Sequence, residues 1–158
     1  MFEPEEGERR MSDLYENDIL RWSERQAELL HRRASGELVN DAEIDWSNVA
    51  EEIEDVGNEQ RNVVESLLIR IMEHRLQIHA WPTAQAVPVW EHEIAGSCVQ
   101  LRRRLKRSPK LAAEMRSELP ALYRDAVASM YRMVDNVPRP PVPDECPWTL
   151  DDLLADRE

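Results

Sequence analysis

Apolar residues return at every third or fourth position through most of this chain, and that spacing constrains its fold more than any other feature. Tyr15, Ile19, Trp22, Leu29 and Leu30 form one series, Trp46, Val49, Ala50, Ile53 and Val56 a second, and Val63, Val64, Leu67, Leu68, Ile71 and Ile78 a third. Trp90, Ile94, Cys98, Leu101 and Leu105 follow, then Leu111, Ala112 and Met115, then Leu122, Tyr123, Ala126, Met130 and Met133. A turn of 3.6 residues gathers each series on one helical face, whereas a strand would send alternate residues to opposite faces. Strand formers such as Thr and Tyr are scarce, while Leu, Glu, Arg and Ala abound. The expected fold class is all-α: a helical bundle of about six or seven helices, four of them long.

Capping residues and breakers divide the pattern. Ser12 is placed to cap the first helix and Gly36 to stop it in the left-handed conformation; Asp45 caps a short second helix that turns or kinks at Gly57. Asn58 opens a third helix that ends before Trp81-Pro82, and the segment 82–88 is a loop bracketed by prolines. Ser108 and Pro109 cap and open a short helix, and Pro120 opens another that ends near Asn136. The first, third and fourth helices and the one after Pro120 are the expected walls, with the second helix and the C-terminal piece covering the ends. Five prolines in NVPRPPVPDECPWT predict an extended strap, and Thr149 with Asp152 forms a capping box for a last helix carrying Leu150, Leu153 and Leu154. At 158 residues the chain is expected to be one domain over 12–158, behind a flexible acidic tail at 1–11.

The acidic run DWSNVAEEIEDVG is the wetted side of the second helix: Glu51, Glu54 and Asp55 fall off its apolar stripe, and acids near the start of a helix favour its dipole. Basic residues number 20 against 32 acidic, a net charge of -12 that repels nucleic-acid phosphates and anionic lipid headgroups. No stretch approaches the roughly eighteen uninterrupted apolar residues of a membrane span, and the start lacks a secretion signal, so a cytoplasmic location is expected. Cys98 and Cys146 lack CxxC spacing and are expected to be reduced thiols.

Together LYENDILRW, DWSNVAEEIEDVG, the Glu65–Leu68 run leading to His74, the SPKL break at Ser108 and CPWT at Cys146–Thr149 resemble a bacterial family known as domain of unknown function twenty-nine. The resemblance covers about residues 13 to 154. It implies an all-helical fold with no established activity. The family usually follows its histidine with two apolar residues and a lysine, where this chain has Arg75-Leu76-Gln77.

Only Glu28 and His31 have the Glu-x-x-His spacing of a di-iron bundle, and they face away from the apolar stripe; His74 and His79 point about 140° apart on a straight helix. No metal or cofactor is therefore expected. His74 lies on an apolar face, and an antiparallel hairpin across 82–88 sets it level with Glu91, Ala95 and Cys98, so His74 and Cys98 are the candidate catalytic pair; a core histidine beside a buried thiol is the competing reading. A second hairpin at Gly57 sets Glu52 level with Arg61. The segment LRRRLKRSPK holds six of the basic residues, including Arg102, Arg103, Lys106 and Arg107, whereas 41–60, including Glu51 and Glu52, holds eight acids and no base. These two segments are the candidate binding residues, docking with each other or across a second subunit being favoured over nucleic acid.

With no glycine-rich phosphate cradle, GxSxG or HExxH, the leading expectation is a noncatalytic protein-interaction or self-assembly bundle, with a protein partner or homo-oligomer. An enzyme centred on His74 is the runner-up, and a nucleic-acid-associated factor using 102–110 comes behind it.

Overall fold

The computed structural model describes residues 13–133 and 138–155, so the expected tail at 1–11, the Ser12 cap and the helix end near Asn136 lie outside the described residues. The described residues are helical without a strand. Residues 13–17 form a first helical turn, followed by α1 (Ile19–Ala34), a 3-10 turn (Asp41–Glu43), α2 (Trp46–Ala80), α3 (Val87–Lys106), α4 (Pro109–Arg132) and α5 (Leu150–Leu154). Four of these helices are long, and the chain divides into two compact units, Met1–Asn58 and Glu59–Glu158.

Several boundaries follow the predicted chemistry. Gly36 has φ of +87°, the left-handed stop that a glycine adopts without steric cost. Ser108 accepts from Leu111 N ahead of Pro109, and Thr149 and Asp152 close a reciprocal capping box on α5. Asp45 Oδ1 accepts from Asn48 N at the start of α2. The break in α1 was not anticipated: Asp18 interrupts the first helix and recaps it by accepting from Arg21 N.

Two expected breaks are corrected. Gly57 does not end a helix; it lies inside the 35-residue α2, because a mid-helix glycine keeps its backbone N–H and costs only about 1 kcal/mol in helix propensity. Pro120 does not open a helix but lies inside α4 on its exposed face, where a carbonyl deprived of its N–H partner can turn to water. Leu111, Met115, Leu119, Leu122, Ala126 and Met130 form one buried stripe that passes Pro120 uninterrupted. Burial on both sides outweighs the lost hydrogen bond.

In the unit Glu59–Glu158, Val64, Leu68, Ile71, Met72 and Leu76 of α2 pack with Leu101 of α3, the stripe of α4, and Leu150 and Leu153 of α5 in one core. In the strap, residues 138–149 carry neither helix nor strand; Tyr131 and Tyr123 donate their hydroxyls to the carbonyls of Pro140 and Pro143 at 2.8 and 2.7 Å. Trp148 meets Tyr123 edge-on with ring centres 6.2 Å apart.

The unit Met1–Asn58 has a smaller interior. Among its described residues Trp22, Leu29 and Ile44 are the buried large apolar ones, and the buried Gln26 bonds two backbone groups: its Oε1 accepts from Asp45 N and its Nε2 donates to Glu43 O. Trp22 Nε1 donates to Asp45 Oδ2 and Tyr15 OH donates to Glu52 Oε1, so α1 and the first half of α2 run antiparallel.

Candidate functional site

Three of the polar residues that sequence spacing singles out, His74, Cys98 and Arg102, have structural partners within Glu59–Glu158. The last carbonyls of α5, left without N–H partners as at any helix end, each receive a side chain: Arg75 Nη2 reaches Asp152 O at 2.9 Å, Cys98 Sγ reaches Leu153 O at 3.2 Å, and Arg102 Nη1 reaches Leu154 O at 2.9 Å. Thus α2 and α3 hold α5 by its C-terminus while the capping box holds its start. Arg75, missed in sequence, is buried and also stacks on Trp148 with its guanidinium 5.7 Å from the ring centre.

His74 and Cys98 each meet other groups. His74 Nδ1 lies 2.8 Å from Gln77 Oε1 and Nε2 lies 2.5 Å from Glu93 Oε2, so both ring nitrogens are directed to other groups and the thiol is directed to Leu153. The level predicted across the 82–88 loop brings α3 to His74, but Glu93, between the residues expected there, is the one that meets it. No group of three or more His, Cys, Asp or Glu side chains among the described residues is arranged to hold a metal ion, and no helix there is long and apolar enough to cross a membrane.

Two clefts flank Trp148. One of about 360 Å³ is lined by Arg75, Leu76, His79 and Pro143, and the other, of about 410 Å³, by Arg116, Pro120, Cys146 and Asp151. Burial pushes the Cys146 thiol up, away from the thiolate a nucleophile needs, and it donates to Trp148 O at 3.3 Å.

In the basic segment Arg104 Nη1 donates to Gln60 Oε1 at 2.7 Å, and Arg103, Lys106 and Arg107 are exposed. The expected pairing of Glu52 with Arg61 is corrected, because it required a hairpin at Gly57. Glu52 accepts from Tyr15 instead, pushing that phenol up to about 12, and Arg61 Nε pairs with Glu114 of α4 at 3.2 Å.

The face of α2 drawn inward on its spacing is largely uncovered. Trp46 is 49% exposed, Ile53 68% and Val56 62%, with Val49 half-buried beside them. Residues 46, 49, 53 and 56 follow the alternating steps of three and four that make a straight seam for a second helix. At 100° per residue Ala50 and Gly57 fall on the same side, Glu54 lies at its open edge, and Glu51 and Asp55 lie on the opposite face. Ile19, half-exposed on α1, falls on the same side of the antiparallel pair, with Glu16 next to it. Arg33, stacked over Trp46 at 5.8 Å from its ring centre, is paired with Asp41. The result is an apolar strip with an acidic rim. Periodicity could find the strip, but not that the chain leaves it open.

The sequence matches the family described as Domain of unknown function DUF29 over residues 14–157. No curated protein and no solved structure matches the chain.

Proposed function

Because the chain belongs to the DUF29 family, whose description carries no activity, we propose from its own surface chemistry that it is a noncatalytic protein-interaction module, docking through the strip on the first half of α2. The observation that carries this reading is the exposure of Trp46, Ile53 and Val56 along one helical seam. Single exposed apolar residues are ordinary, but a contiguous row rimmed by polar groups is the usual character of an interaction surface. Among the described residues of Met1–Asn58 the exposed large apolar side chains outnumber the buried ones, which fits an interior completed by a partner. A cytoplasmic setting fits the two free thiols, Cys98 and Cys146.

A photo-crosslinking amino acid placed at Ile53 tests the reading in cells that produce the protein. Val99, an equally exposed apolar residue on α3, serves as the control position. Adducts to another polypeptide at Ile53, at least tenfold above those at Val99, are expected. Equal yields at the two positions overturn the proposal.

A further inference from the structure

Resting on that docking reading, we infer that the occupant of the strip is a cationic amphipathic helix of a different polypeptide, and not a second copy of this chain. The seam dictates a helix: anchors at 46, 49, 53 and 56 rise about 15 Å along α2, close to three turns of a partner lying against it. Gly57 fits that use. It sits mid-helix at a cost in helix propensity, and no atom lies within 4 Å of where its side chain would begin, so nothing in the chain's own packing requires it to be small. Ala50 and Gly57 leave a shallow notch into which a second helix can settle closely.

Charge decides which helix. Glu54 on α2 and Glu16 in the turn before α1 are exposed beside the strip, and the stretch 41–60 contains eight acids and no base. A two-fold dimer would set this rim against its own copy, acid facing acid, and such juxtaposition costs several kcal/mol in a typical interface. A helix with apolar residues at steps of three and four and Lys or Arg beside them gains both contacts at once. The guanidinium of Arg33 over Trp46 already faces Asp41.

The probes are three synthetic peptides: an amidated three-turn-or-longer helix with Leu on one face and Lys and Arg flanking it, a twin with Glu at the flanking positions, and a scrambled isomer of the first. Titration calorimetry against the whole chain is expected to give micromolar binding of the basic helix, at least tenfold weaker binding of the other two, and weakening with added salt. Ile53→Glu is the decisive variant. It makes the chain more acidic, so non-specific adsorption of a cation tightens, whereas docking on the strip is lost. Glu16→Gln with Glu54→Gln is expected to weaken the basic helix about three- to tenfold while leaving the circular dichroism unchanged. Equal binding of the basic and acidic helices, or binding that survives Ile53→Glu, overturns the charge assignment. A sedimentation-detected dimer that Ile53→Glu dissolves makes the occupant a second copy and overturns this inference while the docking reading stands. Ile53 crosslinks without peptide binding also reject the cationic partner alone, and absence of both rejects docking itself.

Discussion

Arg75 of α2 donates to the carbonyl of Asp152 in α5 at 2.9 Å, and with its neighbours it makes the five-residue α5 a fixed part of the core. A helix of that length has too few internal hydrogen bonds to persist alone. Its order comes from Leu150 and Leu153, both buried, from the capping box at its start, and from Arg75, Cys98 and Arg102 at its end. This arrangement accounts for two residues, Cys98 and Arg102, whose chemistry alone suggests a site.

If α5 covers Cys98, alkylation rates report on it. In the native protein Cys98, 2% exposed, is expected to react more slowly than Cys146, which is partly exposed. Leu153→Ala, which empties a fully buried position, is expected to cost about 2–5 kcal/mol and to speed Cys98 labelling more than tenfold. Peptide mapping after timed iodoacetamide exposure measures both. A native Cys98 that reacts faster than Cys146 contradicts the cover and revives thiol chemistry at this position.

The capping box predicts an acid-sensitive C-terminus. The Thr149 hydroxyl and backbone N–H, in that order of effect, hold the Asp152 carboxyl below its ordinary value. A depressed folded value means that the carboxylate's contribution is present above the ordinary carboxylate range and is lost as the pH falls through the folded value. Hydrogen-exchange protection of 150–154 should therefore fall at acidic pH before that of α4. Thr149→Ala is expected to remove that difference and to cost roughly 1 kcal/mol; an unchanged acid profile in the variant would refute the cap's role.

Gly57 and Pro120 are misfits that a substitution should relieve. Gly57→Ala is expected to stabilise the chain by about 0.5–1 kcal/mol, since the added methyl meets nothing. Pro120→Ala restores an N–H in the middle of α4 and is expected to add up to about 3 kcal/mol. At this chain length each kcal/mol raises the melting temperature by roughly 2–4 °C. Thermal unfolding of the two variants checks the signs; a fall for Gly57→Ala places a close neighbour at that position.

The same two residues mark the limit of what was legible in the sequence. The helical class, the four long walls and the caps at Asp45, Ser108 and Thr149 follow from local periodicity and hydrogen-bonding chemistry, which a sequence displays. Gly57 costs about 1 kcal/mol and Pro120 about 3 kcal/mol locally; at Pro120 the buried stripe on either side, a tertiary quantity, decides that α4 continues, whereas at Gly57 the glycine keeps its backbone N–H and the helix runs on through exposed residues. His74 with Glu93 and Arg75 with Asp152 are 19 and 77 residues apart, so no spacing rule joins them. Trp46, Ile53 and Val56 show the third limit: periodicity identifies an apolar face without saying whether the chain itself covers it.

Tyr15 offers the most direct readout of the rim. Its hydroxyl donates to Glu52 at 2.8 Å, and that bond, ahead of burial and the nearby charges of Glu52, Glu51 and Asp55, pushes the phenol up to about 12. Because the folded value is raised, the bond's stabilising effect is complete below the ordinary tyrosine value near ~10 and is lost as the pH climbs through the folded value. Carbon-13 labelling of the three tyrosine ring systems follows each phenol by NMR. Tyr15 is expected to ionise about two pH units above a free tyrosine, and Glu52→Gln, which keeps an acceptor but removes the charge, is expected to bring it down by at least one. Loss of the Tyr15 bond at high pH should then loosen α1 from the first half of α2 before the core of Glu59–Glu158 unfolds, seen as early loss of amide protection at 19–34. A Tyr15 that titrates like a free phenol, or an α1 that holds as long as α4, contradicts the geometry on which the strip is built.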